Sequence, residues 1–189
     1  MDVYVVTHPE VAVEPDVPVP QWGLSAAGRA RLVHLLAQPW AASLTRVVSS
    51  TETKALQTAR AMAEPLHLPV LTDPELGEND RSATGYLPPE EFEAVADAFF
   101  ARPGTSVRGW ETAHHAQQRI VAAVARAADG ASGDVAVVAH GGVGTLLLCH
   151  LMGVPLDRRH DQPGQGSYFR FEATTRRLAH GWRRLEPPA

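Results

Sequence analysis

Two spacings of apolar residues alternate along the chain, and they predict an order of strands and helices. Val3 to Val6 is a short run of β-branched and aromatic residues, and Val135 to Ala139 is a second run without a polar residue. Runs of this length and composition are typical of buried strands. Further strands are predicted at 44–48 and 69–71, and a closing hairpin is predicted from the alternation at 167–171 and 177–182.

Helical spacing separates these strands. Ser25 has the chemistry of an N-cap, and the apolar residues after it recur at intervals of three and four. Alternating strand and helix signals predict an α/β fold of three layers, with a mixed, mostly parallel sheet flanked by helices on both faces. The 189 residues suit a single domain, 1–189, without a linker or repeat. Helices are predicted at 26–36, 49–66, 89–101, 110–129 and 140–152.

Composition and charge narrow the function classes. The formal net charge is −4 and no run of Lys or Arg occurs, so a nucleic-acid partner is not expected. No segment has the length of a membrane span, and the first residues lack the features of a signal peptide. These features predict a cytoplasmic protein with no membrane partner, and they leave the oligomeric state open. Cys149 is the only cysteine, which excludes an internal disulfide and a Cys-rich zinc module.

Candidate chemistry follows the predicted strands. His8 ends the first strand and His140 ends the strand at 135–139, and a third strand ends before a helix whose first turn carries Lys54. In open α/β sheets, ligands collect beyond the carboxyl ends of the strands. Helix N-termini add free N–H groups and a partial positive charge, which suit an anion. Two imidazoles, a lysine and helix starts at one sheet edge predict a phosphate site.

Phosphoryl transfer requires a nucleophile, charge neutralisation and an acid. A neutral imidazole can attack phosphorus and carry the phosphoryl group as a covalent intermediate. Cations and N–H donors stabilise the oxygens of the transferred group. A carboxylic acid protonates the leaving alkoxide and then activates water. Glu78, in the polar loop after the third strand, is the candidate for this acid.

Five short motifs occur in order along nearly the whole chain, and together they resemble a known family. The chain is similar to the histidine phosphatase superfamily, also called phosphoglycerate mutase-like, whose members carry Arg-His-Gly, Leu-Thr-x-x-Gly, Ser-x-x-x-Arg-Ala-x-x-Thr-Ala, Leu-x-Glu and His-Gly-Gly. The corresponding segments here are Thr7-His8-Pro9, Leu24-Ser25-Ala26-Ala27-Gly28, Ser50-Thr51-Glu52-Thr53-Lys54-Ala55-Leu56-Gln57-Thr58-Ala59, Leu76-Gly77-Glu78 and His140-Gly141-Gly142.

The resemblance implies roles for the matching residues. His8 aligns with the phosphorylated histidine, His140 with the second pocket histidine and Glu78 with the proton donor. The resemblance also implies a phosphoglycerate mutase-like fold, no metal and no organic cofactor. The predicted function is therefore a phosphomonoesterase that hydrolyses a small phosphorylated metabolite through a phosphohistidine on His8.

The sequence departs from the family at the phosphate-binding positions. Thr7 and Lys54 stand where the family has arginines, so both bidentate guanidinium contacts are missing. Pro9 replaces a glycine and removes a backbone N–H donor. We hypothesise that Arg81 reaches the phosphate in their place, and the alternative is an ion pair of Arg81 with Asp80 or Glu78. The predicted phosphate-binding residues are Thr7, Lys54, Arg81 and Gly141.

Two other functions stay open on the sequence. The lost arginines and Pro9 favour a catalytically degenerate family member, which binds a phosphorylated or anionic ligand or a protein without turnover. A metal hydrolase is the other alternative, because imidazoles and carboxylates suit zinc. Its ligands would be His8, His140, Asp80 and Glu78, but no closely spaced pair such as His-x-x-x-His is present to support it.

Overall fold

The computed structural model describes residues 1–186, and within them six strands form one sheet with five α-helices packed around it. The strands are β1 (Asp2–Thr7), β2 (Arg46–Ser49), β3 (Val70–Thr72), β4 (Val135–Ala139), β5 (Ser167–Glu172) and β6 (Leu178–Arg184). The helices are α1 (Ala26–Leu36), α2 (Thr53–Ala63), α3 (Pro89–Ala101), α4 (Ala113–Ala128) and α5 (Gly141–Met152). The order of strands in the sheet is β3-β2-β4-β1-β5-β6.

The sheet is mixed and mostly parallel, as predicted. β3, β2, β4 and β1 run parallel, while β5 pairs antiparallel with β1, and β6 pairs antiparallel with β5. The closing hairpin is therefore confirmed. The register of β1 against β4 places Thr7 opposite Ala139. Because these are the last residues of two adjacent parallel strands, His8 and His140 leave the sheet side by side.

Helices cover both faces of the sheet. Val3 and Val5 of β1 belong to a core packed with residues of α3, α4 and α5. Tyr4 and Val6, on the opposite face, belong to a second core packed with residues of α1 and α2. This split follows from the two-residue period of strand side chains and confirms the three-layer arrangement.

Most element boundaries agree with the sequence pattern, and the differences have local causes. Ser25 caps α1 as predicted, since its hydroxyl accepts the Gly28 N–H at 2.9 Å. α4 begins at Ala113 rather than near 110, because Thr112 is the cap and accepts the His115 N–H. α2 ends at Ala63, and Glu64–Leu66 forms a 3₁₀ turn containing Pro65, which has no N–H to continue an α-helix.

Helix α5 is buried along most of its length and carries the single cysteine. Cys149 is fully buried, and burial raises the pKa of its thiol, as expected for an unreactive packing residue. Although α5 is apolar, it is short. No helix in residues 1–186 combines the length and apolar character that spanning a bilayer requires.

Candidate active site

A cleft of about 340 Å³ opens at the carboxyl ends of β1 and β4, and we call it the histidine cleft. Both strand-end histidines line it, together with the first turn of α5 and one side of α3. Three basic and three acidic side chains also line it: Lys54, Arg81, Arg158, Glu78, Glu93 and Asp161. The sequence-predicted site residues His8, His140, Glu78, Lys54, Arg81 and Gly141 all meet here.

The His8 ring is fixed by the backbone. Its Nδ1 lies 2.8 Å from the Pro9 carbonyl oxygen, which can only accept, so Nδ1 carries the ring proton. Nε2 is left with its lone pair free. Burial lowers the pKa of His8 to about 4, and the charges of Lys54 and Arg81 act in the same direction. The imidazole is therefore uncharged at neutral pH, the form that a nucleophile needs.

His140 lies beside His8, with 5.3 Å between the ring centroids, and is also held in one tautomer. Its Nε2 is 2.9 Å from Ser50 Oγ and 3.3 Å from Glu52 Oε1. A ring lone pair facing the negatively charged Glu52 carboxylate is electrostatically unfavourable, so we assign the proton to Nε2. Nδ1 is buried and has no partner among the described residues. Burial lowers the pKa of His140 to about 4, against the opposing effect of the Glu52 charge.

Lys54 is buried and its charge is matched by Glu52. Its ammonium donates to Glu52 Oε2 at 2.5 Å and to the Val19 carbonyl at 2.9 Å. Glu52 Oε1 accepts the Glu78 N–H at 2.8 Å. Burial alone would raise the pKa of Glu52, but its interactions with His140 and Lys54 lower it to about 2. Lys54 therefore brings little net charge to the cleft, which its position in the sequence did not reveal.

The Glu78 carboxylate lies at the N-terminus of α5. It accepts the N–H groups of Gly142 and Val143, each at 3.0 Å, and that of Asn79 at 3.0 Å. These contacts place Glu78 in the cleft and occupy two of the free donors at this helix start. The Gly141 N–H has no partner within residues 1–186, so it is the donor of this turn that remains for a ligand.

Thr7 does not line the cleft but acts on a residue that does. It is fully buried, and its hydroxyl accepts the Ser167 N–H at 3.0 Å. The hydroxyl then donates to Gln162 Oε1 at 2.6 Å, which assigns the other end of this side chain as the NH₂ group. Gln162 Nε2 would be 2.3 Å from a Cβ on Gly141. A neutral amide donor thus lies over the α5 start, and sequence reasoning missed it.

Arg81 lines the cleft without an ion pair. Its guanidinium lies over the Phe92 ring, 4.9 Å from the centroid, and 6.0 Å from that of Trp110. No carboxylate in the described part of the chain forms a salt bridge with it, so the alternative pairing with Asp80 or Glu78 is absent there. Asp80 instead accepts the Ser82 N–H at 2.9 Å. Arg81 is therefore free to meet an anion.

A buried ion pair between α4 and the residue just before its cap holds the loop that carries Glu78. Arg119 and Glu111 form two hydrogen bonds, at 2.8 and 3.0 Å. The same guanidinium donates to the carbonyls of Glu75 (2.7 Å), Gly77 (3.0 Å) and Glu78 (3.1 Å). All of its donors are thus used in one clamp. The only sequence signal was an arginine on the otherwise apolar face of a predicted helix.

Asp161 is a second carboxyl group near Glu78. Burial raises its pKa, with a smaller contribution from the Glu78 charge. Its Oδ1 accepts the Thr145 hydroxyl at 2.9 Å, which fixes it against α5. Despite these carboxylates and imidazoles, no group of three or more His, Cys, Asp or Glu within residues 1–186 is arranged to hold a metal ion.

Comparison with known proteins identifies the family and agrees with the fold. A family model described as histidine phosphatase superfamily (branch 1) matches residues 4–180. A search of curated proteins returned no match to the sequence.

Several solved structures share the fold at low sequence identity. The complex of mycobacterial glucosyl-3-phosphoglycerate phosphatase with inorganic phosphate is 22% identical, with a TM-score of 0.74 over 96% of this chain and 94% of that one. YhfR of Bacillus stearothermophilus is 22% identical, with a TM-score of 0.75 and coverage of 95% and 94%. The α-ribazole phosphatase of Shigella flexneri is 22% identical, with a TM-score of 0.70 and coverage of 98% and 96%.

Proposed function

The chain belongs to the histidine phosphatase superfamily, and we propose that it hydrolyses a small phosphorylated metabolite through a phosphohistidine on His8. One observation carries the proposal: a neutral, buried imidazole whose Nδ1 is held by the Pro9 carbonyl and whose Nε2 is free. Two of the similar structures are named as phosphatases of phosphorylated small molecules, which supports the same substrate class.

The residues of the cleft fit a two-step displacement. His8 Nε2 attacks phosphorus, the bond from phosphorus to the ester oxygen breaks, and Glu78, which enters this step as the protonated carboxylic acid, gives its proton to the departing oxygen and becomes a carboxylate. Water then attacks the phosphohistidine, loses a proton to Glu78, and inorganic phosphate leaves while His8 regains its lone pair. The Gly141 N–H, the Gln162 amide and Arg81 are the donors for the transferred oxygens.

The test measures hydrolysis of 4-nitrophenyl phosphate between pH 5 and 8 and the trapping of labelled phosphoenzyme. His8→Ala is expected to abolish both signals, because it removes the Nε2 atom that is proposed to carry the phosphoryl group. His114→Ala, which removes an exposed histidine in the first turn of α4, is the matched control and keeps both. Equal turnover by His8→Ala and wild type would refute the proposal.

A second function, binding without turnover, is favoured by one observation. The Glu52 carboxylate takes up the charge of Lys54, so the cleft stabilises a transferred phosphoryl group less than a free cation would. If the protein binds without turnover, inorganic phosphate is expected to bind to the folded protein. The release of 4-nitrophenol is then expected to stay at background for both the wild type and His8→Ala. Calorimetry with phosphate beside the hydrolysis assay separates the two functions.

A further inference from the structure

Charge in the histidine cleft is nearly cancelled by neighbouring carboxylates. Lys54 is paired with Glu52, which does not itself line the cleft. Arg158 is bound by Glu93 and by Asp97 of α3. Arg81 is the basic side chain lining the cleft that has no carboxylate partner in the described chain. The cleft therefore offers several N–H donors but little net positive charge.

A doubly charged phosphate monoester is poorly matched to such a site. Two negative charges brought into a buried pocket require compensating cations, because burial disfavours uncompensated charge. The donors that replace guanidinium groups here are weakly charged or neutral: the Gln162 amide, the Gly141 N–H and the Lys54–Glu52 pair. Arg81 alone carries one positive charge, which can balance a ligand with a single negative charge.

The tautomer of His140 points to a proton on the ligand. The Glu52 carboxylate, 3.3 Å from Nε2, favours the ring proton on that nitrogen, so the neutral ring presents a lone pair at Nδ1. His140 lines the cleft and is 1% exposed. Its Nδ1 atom is buried and lacks a partner in residues 1–186. A lone pair repels an ionised phosphate oxygen and accepts a hydrogen bond from a P–OH group.

We propose that the histidine cleft binds the phosphate monoester as its singly charged, protonated form, and that Glu52 sets this preference. Glu52 does so in two ways: it cancels the charge of Lys54, and it fixes His140 as an acceptor. The inference rests on the proposed function for its substrate class. The charged and titratable groups that face His140 are Glu52 before α2, Lys54 on α2, His8 after β1 and Glu78 after β3.

Calorimetric binding of inorganic phosphate to the wild-type protein is the first test. Above the second pKa of phosphate, the affinity is expected to fall about tenfold per pH unit, because only the protonated form binds. Titrations at pH 8 in two buffers of different ionisation enthalpy are expected to show uptake of about one proton per phosphate. Affinity that stays constant or rises between pH 6.5 and 8.5 would overturn the proposal.

Glu52→Ala tests the role of the carboxylate. The variant frees the Lys54 ammonium and releases the His140 tautomer, so the pH dependence above neutrality is expected to flatten. At pH 8 it is expected to bind phosphate about tenfold more tightly than the wild type. Glu64→Ala removes an exposed carboxylate at the other end of α2. It is the control and is expected to keep the wild-type dependence of phosphate affinity on pH.

Glu52→Gln, which keeps an acceptor for the Glu78 N–H, is measured as well in case Glu52→Ala does not fold. An unchanged slope in a folded Glu52 variant contradicts the proposal.

A diester distinguishes single charge from protonation. Bis(4-nitrophenyl) phosphate carries one negative charge at all these pH values and has no P–OH group. It is expected to bind at least about tenfold more weakly than phosphate at pH 6, because His140 Nδ1 then has nothing to accept. Equal affinity would refute the acceptor role of His140. All of these measurements record binding and none requires turnover. A protein that binds phosphate but hydrolyses no ester would therefore refute the proposed function, while this inference would still be tested.

Discussion

Replacing Arg119 by methionine removes the clamp between α4 and the Glu78 loop, and its cost can be worked from the contacts. The side chains of Arg119 and Glu111 are 11% and 8% exposed, so they form a nearly buried pair. Hydrogen bonds from Arg119 also lower the pKa of Glu111 against the effect of burial. Methionine fills much of the volume but leaves the Glu111 carboxylate with only the exposed His115 imidazole and the Asp80 N–H as partners, and without an arginine.

Breaking a buried ion pair from one side costs about 3 to 5 kcal/mol, because an uncompensated charge remains. For a protein of this size, about 1 kcal/mol corresponds to a shift of roughly 2–4 °C in Tm, so a loss of about 6–20 °C is expected. Three loop carbonyls lose their donor at the same time. Because the loop positions Glu78, kcat on an aryl phosphate is expected to fall about tenfold or more.

Urea unfolding and steady-state kinetics measure the two effects separately. Arg126→Met, an exposed arginine on the same helix that pairs with Asp73, is the control and should cost less than about 1 kcal/mol. The double variant Arg119→Met/Glu111→Leu should regain most of the stability, since no charge is orphaned, yet keep the low kcat. If Arg119→Met and Arg126→Met lose the same free energy of unfolding, the Arg119 clamp does not stabilise the fold as argued. If the double variant regains both the stability and the kcat of the wild type, the clamp does not position Glu78.

Three further outcomes are expected. Gln162→Leu should weaken binding of inorganic phosphate by calorimetry about 10- to 100-fold through loss of a charge-assisted donor, while Gln118→Leu, exposed on α4, leaves it unchanged; equal affinities would exclude the amide as a ligand. His8 and His140 are buried neutral, with pKa values near 4 against 6.5 when unfolded, so the unfolded state binds more protons in this window. The free energy of unfolding should therefore fall as pH drops from about 6.5 to 4, and this slope should be smaller in His8→Ala. Ser25→Ala should cost about 1 kcal/mol in urea unfolding, since it removes the α1 cap; no change would show that the Gly28 N–H is satisfied otherwise.

The fold and the pair of histidines were predictable because both depend on local signals. Strand and helix periods indicate the order of elements, and parallel pairing of two strands that are each followed by a histidine brings the two rings together. The partners that modify the site depend on long-range contacts. Gln162 meets Thr7 across 155 positions, and nothing in either local pattern indicates the pairing.

Glu52 and Arg119 show a different limit of the sequence. Glu52 lies two residues before Lys54, but only the turn into α2 shows that its carboxylate faces the ammonium and the His140 ring. Arg119 is one of two arginines on α4, and the helix pattern does not say that its guanidinium reaches three carbonyls of another loop. In both cases the sequence supplies the charge, whereas the fold decides which group it meets.

The partners of the substituted residues argue that the pocket is adapted rather than decayed. Random loss of two arginines would leave buried polar groups without partners, each at a cost of about 1–3 kcal/mol. Here the Thr7 hydroxyl accepts from Ser167 and donates to Gln162, and the Lys54 ammonium donates to Glu52 and to a carbonyl. Among the described residues that line the cleft, His140 Nδ1 and Asn79 Nδ2 are buried without a partner, and Nδ1 is where a protonated phosphate oxygen would bind. Thr7 and Lys54 therefore have partners inside the protein, while His140 presents an acceptor in the cleft. This arrangement suits a singly charged phosphate monoester better than a doubly charged one.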